Sequence, residues 1–304
     1  MEWIEVSLET DGEAAEAIAD LMQQYGYQGV VIEQLGIDGD AWEEDLVHLP
    51  SRVIVRAYLP QDGQTEALKR KLEDGLRYLH QISESVPTDP TYTVVREEDW
   101  AEAWKVHYRP LRVGERFFIR PEWTDVPASP EDIEIVLDPG MAFGTGTHPS
   151  TQLCLIALEN QDVTGKAVLD LGCGSGILGI GAARMGAASI RALDTDGLAV
   201  KATAENAERN GVRERFDIAQ GSLEDLLATG EQFDIILVNI LARIIIPMCD
   251  AGLGEVVRPG GIAIFSGIIE EQAEDVEAAL RRTGLIPYRR HQMADWIGIE
   301  ARRE

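Results

Sequence analysis

Apolar and polar residues alternate over positions 3–9, with Ile4, Val6 and Leu8 on one side, and this period of two predicts a strand with one buried face. Thr10-Asp11-Gly12-Glu13 then has the form of a capping box, and Ala14, Ile18, Leu21 and Met22 recur at helical spacing to a stop near Gly26. Positions 30–32 and 53–59 read as two further strands. Ala67, Leu68, Leu72, Leu76 and Leu79 mark a second amphipathic helix, and 92–95 a last strand. The order β-α-β-β-α-β is that of a small ferredoxin-like α+β unit, which carries no chemistry of its own.

From about Gly165 the pattern changes. Positions 167–171 form a short apolar run broken by Asp170, and glycines at 172, 174 and 176 lead into a small-residue helix over 177–185. A strand over 190–193 closes on Asp194, a helix over 198–210 stops at Gly211, and 216–219, 233–238 and 261–265 supply three more strands. Apolar strands alternating with helices predict an α/β domain with a doubly wound, mostly parallel sheet covered on both faces. After a helix over 270–282, the segments 285–290 and 296–301 are close enough in sequence to pair as an antiparallel edge hairpin. The expected division is an acidic α+β domain over 1–95, a linker over 96–121 and the α/β domain over 122–304. In the linker, Trp100 and Trp104 share one face of a helix, which suits packing between domains better than stacking on a ligand.

Charge narrows the function classes. Against 53 Asp and Glu there are 27 Lys and Arg, a formal net charge of −26, which is the wrong sign for sequence-independent contact with phosphate backbones. Direct DNA binding is therefore not expected, and a basic partner is. The charge is also uneven, because residues 1–51 hold 13 acidic side chains and no Lys or Arg. Solubility or salt adaptation would account for this, and 5 Lys against 22 Arg would suit the latter; the sharper reading is an acidic docking face. Cys154, Cys173 and Cys249 form neither an even disulfide set nor a C-x-x-C pair, so a reducing cytoplasm and no bound metal are expected. No window reaches ~18 uninterrupted apolar residues, and the start lacks the basic segment of a secretory signal. A cytoplasmic monomer away from membranes is expected.

Three loops carry the chemistry. Gly172-x-Gly174-x-Gly176, after a strand and before a helix, is where such folds let a nucleotide-like ligand approach the backbone. Ile177 stands where a dinucleotide fingerprint needs its third glycine, so a ligand without a pyrophosphate fits better. Asp194, at the end of the next strand, is placed to accept hydrogen bonds from both hydroxyls of a ribose. The glycine- and hydroxyl-rich segment 138–151 is longer than a connection requires and reads as a lid, with Phe143 to shield a purine and Thr151 to hydrogen-bond the ligand. Asn239, at the head of Asn239-Ile240-Leu241-Ala242, follows the fourth strand of the sheet and faces the reacting end of the ligand.

With these residues in view, the chain resembles the class I S-adenosylmethionine-dependent methyltransferases. Within them it resembles the PrmA-type enzymes, which methylate protein eleven of the large ribosomal subunit. The resemblance spans essentially the whole chain. Its family-specific parts are the segment 138–151 and the Asn239-Ile240-Leu241-Ala242 tetrad, whereas 168–176 marks only the superfamily. It implies S-adenosylmethionine as cofactor, with contacts at Thr151, Gly172, Asp194 and Asn239, and Gly174 falls in the same loop. It also implies an N-terminal domain that holds the basic ribosomal substrate, and methylation of lysine ε-amines and an N-terminal α-amine.

A lysine must lose its proton before it can attack, and an amide at 239 can accept an amine N–H without the full charge that would hold it as ammonium. His148 is a candidate proton relay beside Asn239. The alternative is an N-methyltransferase acting on a planar nitrogen, a glutamine amide or adenine. Such enzymes often follow the asparagine with prolines and a stacking aromatic, whereas Ile240, Leu241 and Ala242 follow here. A non-catalytic assembly factor would tolerate a degraded glycine loop, and a nicotinamide oxidoreductase would not carry Ile177.

Overall fold

The structure of the protein, a computed structural model, describes residues 2–10, 12–23, 30–34, 53–82, 85–96, 109–137 and 144–304. The chain divides into two compact units, Met1–His107 and Tyr108–Glu304. The Trp100 and Trp104 pair and the first part of the predicted lid, Phe143 included, lie outside the described residues.

In the first unit, β1 (Glu2–Thr10), α1 (Gly12–Gln23), β2 (Val30–Gln34), β3 (Val53–Pro60), α2 (Thr65–Ile82) and β4 (Thr91–Arg96) follow the predicted order. The antiparallel sheet runs β2-β3-β1-β4, the ferredoxin-like arrangement. Alternation decides its faces: Ile4, Val6, Leu8, Val53, Val55, Ala57 and Leu59 are buried against Ala14, Ile18, Met22, Leu72 and Leu76 of the helices. Thr10 departs from the predicted cap. It ends β1, and its hydroxyl donates to the Ser85 carbonyl at 3.2 Å.

The second unit begins earlier than the sequence suggested. β5 (Leu111–Val113), β6 (Phe117–Pro121) and β7 (Ile133–Leu137) form a three-stranded sheet, so residues 111–121 belong to the second unit rather than to a linker over 96–121. Phe117, Ile119, Ile133, Ile135 and Leu137 pack into the same core as the helices that follow, and burying that surface is what recruits the segment.

The main sheet is built from β8 (Ala167–Leu171), β9 (Ser189–Asp194), β10 (Phe216–Gln220), β11 (Phe233–Asn239), β12 (Val257–Ile269), β13 (Leu285–Met293) and β14 (Trp296–Arg303), in the order β10-β9-β8-β11-β12-β14-β13. The first five positions pair in parallel and the last two join antiparallel, as the hairpin predicted. Helices α3 (Pro149–Glu159), α4 (Ile177–Arg184), α5 (Gly197–Arg209), α6 (Leu223–Thr229), α7 (Ala242–Asp250) and α8 (Ala273–Arg282) cover it. Side chains alternate between two cores. Val168, Ile235 and Leu237 enter one, and Leu169, Leu171, Ile236 and Val238 the other. The order reverses between β8 and β11, the switch point at which such sheets bind ligands. The three cysteines are buried and form no disulfide. No helix among the described residues is long and apolar enough to cross a membrane, and no group of three metal-ligating side chains occurs among them.

The edge hairpin is secured by a buried carboxylate. Glu300 is fully buried in β14, where it accepts from the Tyr288 hydroxyl at 2.7 Å and from Gln161 Nε2 at 2.8 Å, and lies 2.6 Å from His291 Nε2. Burial alone would raise its pKa, but the bonds from His291 and Tyr288 outweigh that and hold it below the usual carboxylate range.

A second buried carboxylate sets the start of α4. That helix begins after Gly176, which has φ +81° and offers no side chain to cap it. Asp170 of β8 supplies the cap from the neighbouring strand, accepting the Gly179 N–H at 2.8 Å with its side chain out of water. Glycine at 179 favours the approach, since a Cβ there would lie 3.0 Å from both Asp170 Oδ2 and Ile190 Cγ2 and would press on both. Burial lifts Asp170 to about 7, opposed by the Gly179 N–H and assisted by the nearby Asp194 charge. In the unfolded chain the same carboxyl titrates near ~3.9. Asp170 therefore weakens the fold progressively as pH rises from about 4 to about 7, where the unfolded chain ionises freely and the native state resists. Asp170→Asn should remove this dependence, so its melting temperature should gain on the wild type between pH 5 and pH 8; thermal melts with parallel pH profiles for the two proteins would show that Asp170 is not the buried titrating group.

Candidate functional site

The predicted site residues converge on the carboxyl ends of β8, β9 and β11. Gly172, Gly174 and Gly176 have φ of +77°, +53° and +81°, a left-handed conformation that side chains resist. The turn is pinned from both sides. Gly172 N and Cys173 N both donate to Leu193 O, at 2.8 and 3.0 Å. From α5, Thr203 Oγ1 donates to Gly174 O at 2.9 Å and Asn206 Nδ2 to Ser175 O at 2.9 Å.

Asp194 stands beside this turn as the sequence suggested. Gly174 N donates to its Oδ2 at 2.9 Å and Asp196 N to its Oδ1 at 3.0 Å. Two backbone donors fix the carboxylate plane, and each oxygen keeps further acceptor capacity for a pair of neighbouring hydroxyls.

The remainder of the predicted lid is tied to the same turn by a residue the sequence reading did not single out. Ser175 is buried and its hydroxyl donates to Gly144 O at 2.6 Å. The loop then runs through Gly146, at φ +90°, into α3. His148 is the N-cap of α3, with Nδ1 accepting from Ser150 N at 3.2 Å and lying 2.7 Å from Ser150 Oγ. Its ring meets Trp296 edge to face at 4.5 Å between centroids. Burial pushes the imidazole down to about 4, so it is neutral at pH 7 and a weak base. The proton relay read from the sequence is thus met by a histidine whose Nδ1 serves as a helix cap.

That cap starts the helix on which Thr151 sits, fully buried in its first turn. Asn239 ends β11, and its Nδ2 donates to Thr151 Oγ1 at 3.1 Å, joining the two predicted residues across 88 positions of sequence. Asn239 Oδ1 is buried and has no hydrogen-bond partner among the described residues. A buried amide oxygen left unsatisfied costs about 1–3 kcal/mol, so such an atom at a strand end marks a place where a ligand donor completes the structure.

The arrangement fits S-adenosylmethionine. It brings together a turn of left-handed glycines, a carboxylate fixed by backbone donors with acceptor capacity to spare, and a buried amide oxygen with no partner among the described residues. No signal in the sequence distinguishes Asn239's two amide atoms, because their roles follow from where Thr151 falls after folding.

Comparison with known proteins agrees with this geometry. A family model described as ribosomal protein L11 methyltransferase (PrmA) matches residues 2–304. A protein from Chloroflexus aurantiacus named ribosomal protein L11 methyltransferase is 40% identical over 326 residues, covering 99% of this chain and 98% of its own. One of the same name from Herpetosiphon aurantiacus is 41% identical, covering 100% and 99%. The crystal structure of a ribosomal protein L11 methylase from Lactobacillus delbrueckii subsp. bulgaricus superposes with a TM-score of 0.58 at 35% identity, over 65% of this chain and 100% of that one. With the family model spanning both units and relatives near 40% identical over their full length, the chain belongs to the ribosomal protein L11 methyltransferase (PrmA) family.

Proposed function

We propose that the protein transfers methyl groups from S-adenosylmethionine to amines of large-subunit ribosomal protein eleven, lysine ε-amines and an N-terminal α-amine, with Asn239 receiving the amine. The observation that carries this reading is the buried, unpartnered Oδ1 of Asn239, whose amide is oriented by the bond from Nδ2 to Thr151. Bound S-adenosylmethionine supplies a methyl group on a sulfonium sulfur. Gly172 and Gly174 admit it to the backbone, and Asp194 accepts from its ribose hydroxyls.

The amine must arrive neutral. A lysine of pKa ~10.4 gives up its proton at pH 7 at a cost of about 4.6 kcal/mol, and a carboxylate at 239 would increase that by favouring ammonium. The amide oxygen accepts an N–H and directs the nitrogen lone pair away from itself without adding charge. Thr151 keeps the amide from rotating, and His148 holds Thr151 in place through the helix cap, acting as a positioning residue and not as a base. The aliphatic residues after Asn239 suit a flexible amine better than a planar nitrogen. The acidic N-terminal segment draws the basic substrate in, and the enzyme works in the cytoplasm as a single copy without contacting DNA.

Asp194→Ala should weaken S-adenosylmethionine binding by about 10- to 100-fold, the loss of hydrogen bonds to a charged acceptor, measured by calorimetry; unchanged affinity would move the ribose site elsewhere. Asn239→Ala should keep the native melting curve while kcat falls about 100-fold, the scale of removing one preorganised polar contact at a reacting centre. Wild-type turnover in that variant would sink the assignment of the amine site. Acidic docking acts over a Debye length of ~10 Å at 0.1 M salt. Between ~0.05 and ~0.5 M salt, kcat/KM toward the whole ribosomal protein should fall several-fold more than toward a short lysine peptide, and equal responses would leave the negative charge a matter of solubility.

A further inference from the structure

Ile240 follows Asn239 directly and occupies a place with glycine on two sides. On the β8 side, a Cβ at Gly172 would lie 2.7 Å from Ile240 Cγ2, so the isoleucine side chain rests on the bare backbone of the cofactor turn. On the β12 side, a Cβ at Gly267 would lie 2.4 Å from Ile240 O, 2.8 Å from its carbonyl carbon and 3.1 Å from its nitrogen. No real side chain tolerates such distances to backbone. Gly267 has φ +80° and falls where the pairing of β12 with β14 shifts register between Phe265 and Ile268. The irregularity brings β12 against the peptide after Asn239, which is itself in register with Ser266. Strand β11 lies between β8 and β12 in the sheet, so the two glycines approach Ile240 from its two neighbouring strands.

We propose that Ile240 is a positioning residue, a wedge seated between Gly172 and Gly267 that sets the distance from the cofactor turn to the Asn239 amide. The inference rests on the reading of Asn239 as the amine acceptor. Thr151 fixes one end of that amide through Nδ2 and pairing with Ser266 holds the main chain on the β12 side, but the ladder to β8 ends at Leu237, two residues short of Asn239. The wedge holds that end: its γ-methyl bears on one strand end and its peptide on the other. Truncating it leaves a gap beside Gly172 into which the end of β11 can relax. A displacement of about 1 Å at a reacting group costs up to about 100-fold in rate, while the backbone bonds from Gly172 and Cys173 to Leu193 that hold the turn stay in place.

The test uses the full chain, with radiolabelled S-adenosylmethionine and intact ribosomal protein eleven as substrate, and the variants Ile240→Ala, Ile240→Val and Asn239→Ala. In Ile240→Ala, kcat should fall at least about 10-fold while KM for the protein substrate and the calorimetric Kd for S-adenosylmethionine change less than about threefold. Ile240→Val keeps a γ-methyl against Gly172 and should restore at least half of the lost turnover. If Ile240→Ala turns over within about twofold of wild type while Asn239→Ala is slow, the wedge is refuted and the amine site stands. If Ile240→Ala loses cofactor affinity or thermal stability in proportion to kcat and valine restores nothing, Ile240 is ordinary packing and the proposal fails. Wild-type turnover in Asn239→Ala overturns both.

Discussion

A carboxylate shut away from water next to a helix that lacks its own cap determines the geometry of everything above it. Asp170 cannot leave the strand and Gly179 cannot leave the helix, so their 2.8 Å bond fixes the helix start against the strand. The intervening residues have to reverse direction in a very short span. Only a run of left-handed glycines does this, and the N–H groups of that run then fall where they fix Asp194 and meet the strand bearing it. The cost is a carboxyl whose ionisation is opposed at physiological pH, set against a Gly179 N–H that would otherwise be left without its acceptor at the helix start.

The reacting side of the site follows a different logic, in which neutrality matters more than charge. Among the described residues, the polar groups that meet there are the Asn239 amide, the Thr151 hydroxyl and, at the start of the same helix, an imidazole held uncharged by burial. Asp194, the charged member, stands at the glycine turn, where two backbone donors tie it down.

Most of the architecture was legible because it rests on local periodicity. The alternation at Ile4, Val6 and Leu8, the glycine spacing at 172, 174 and 176 and the closing hairpin each announce an element without help from the rest of the chain. The small sheet at 111–137 was not seen, although Ile133, Ile135 and Leu137 alternate with Glu134 and Val136, because its strands are short and one pairing is parallel and non-local. Within the site, residue types could be read but not their division of labour. The sequence offers His148 as a candidate proton relay but does not show that its Nδ1 meets Ser150 N, and the clasp of Gly267 on Ile240 exists only through a register shift that no spacing encodes.

The contact between Trp296 and His148 links the order of synthesis to the site. Trp296 opens β14, the last described strand in sequence, yet β14 lies inside the sheet between β12 and β13. During synthesis the glycine turn, Asp194 and Asn239 all emerge before the tryptophan against which the α3 cap packs. A strand in the interior of the sheet, and with it the packing partner of the α3 cap, is thus supplied by the last residues of the described sequence.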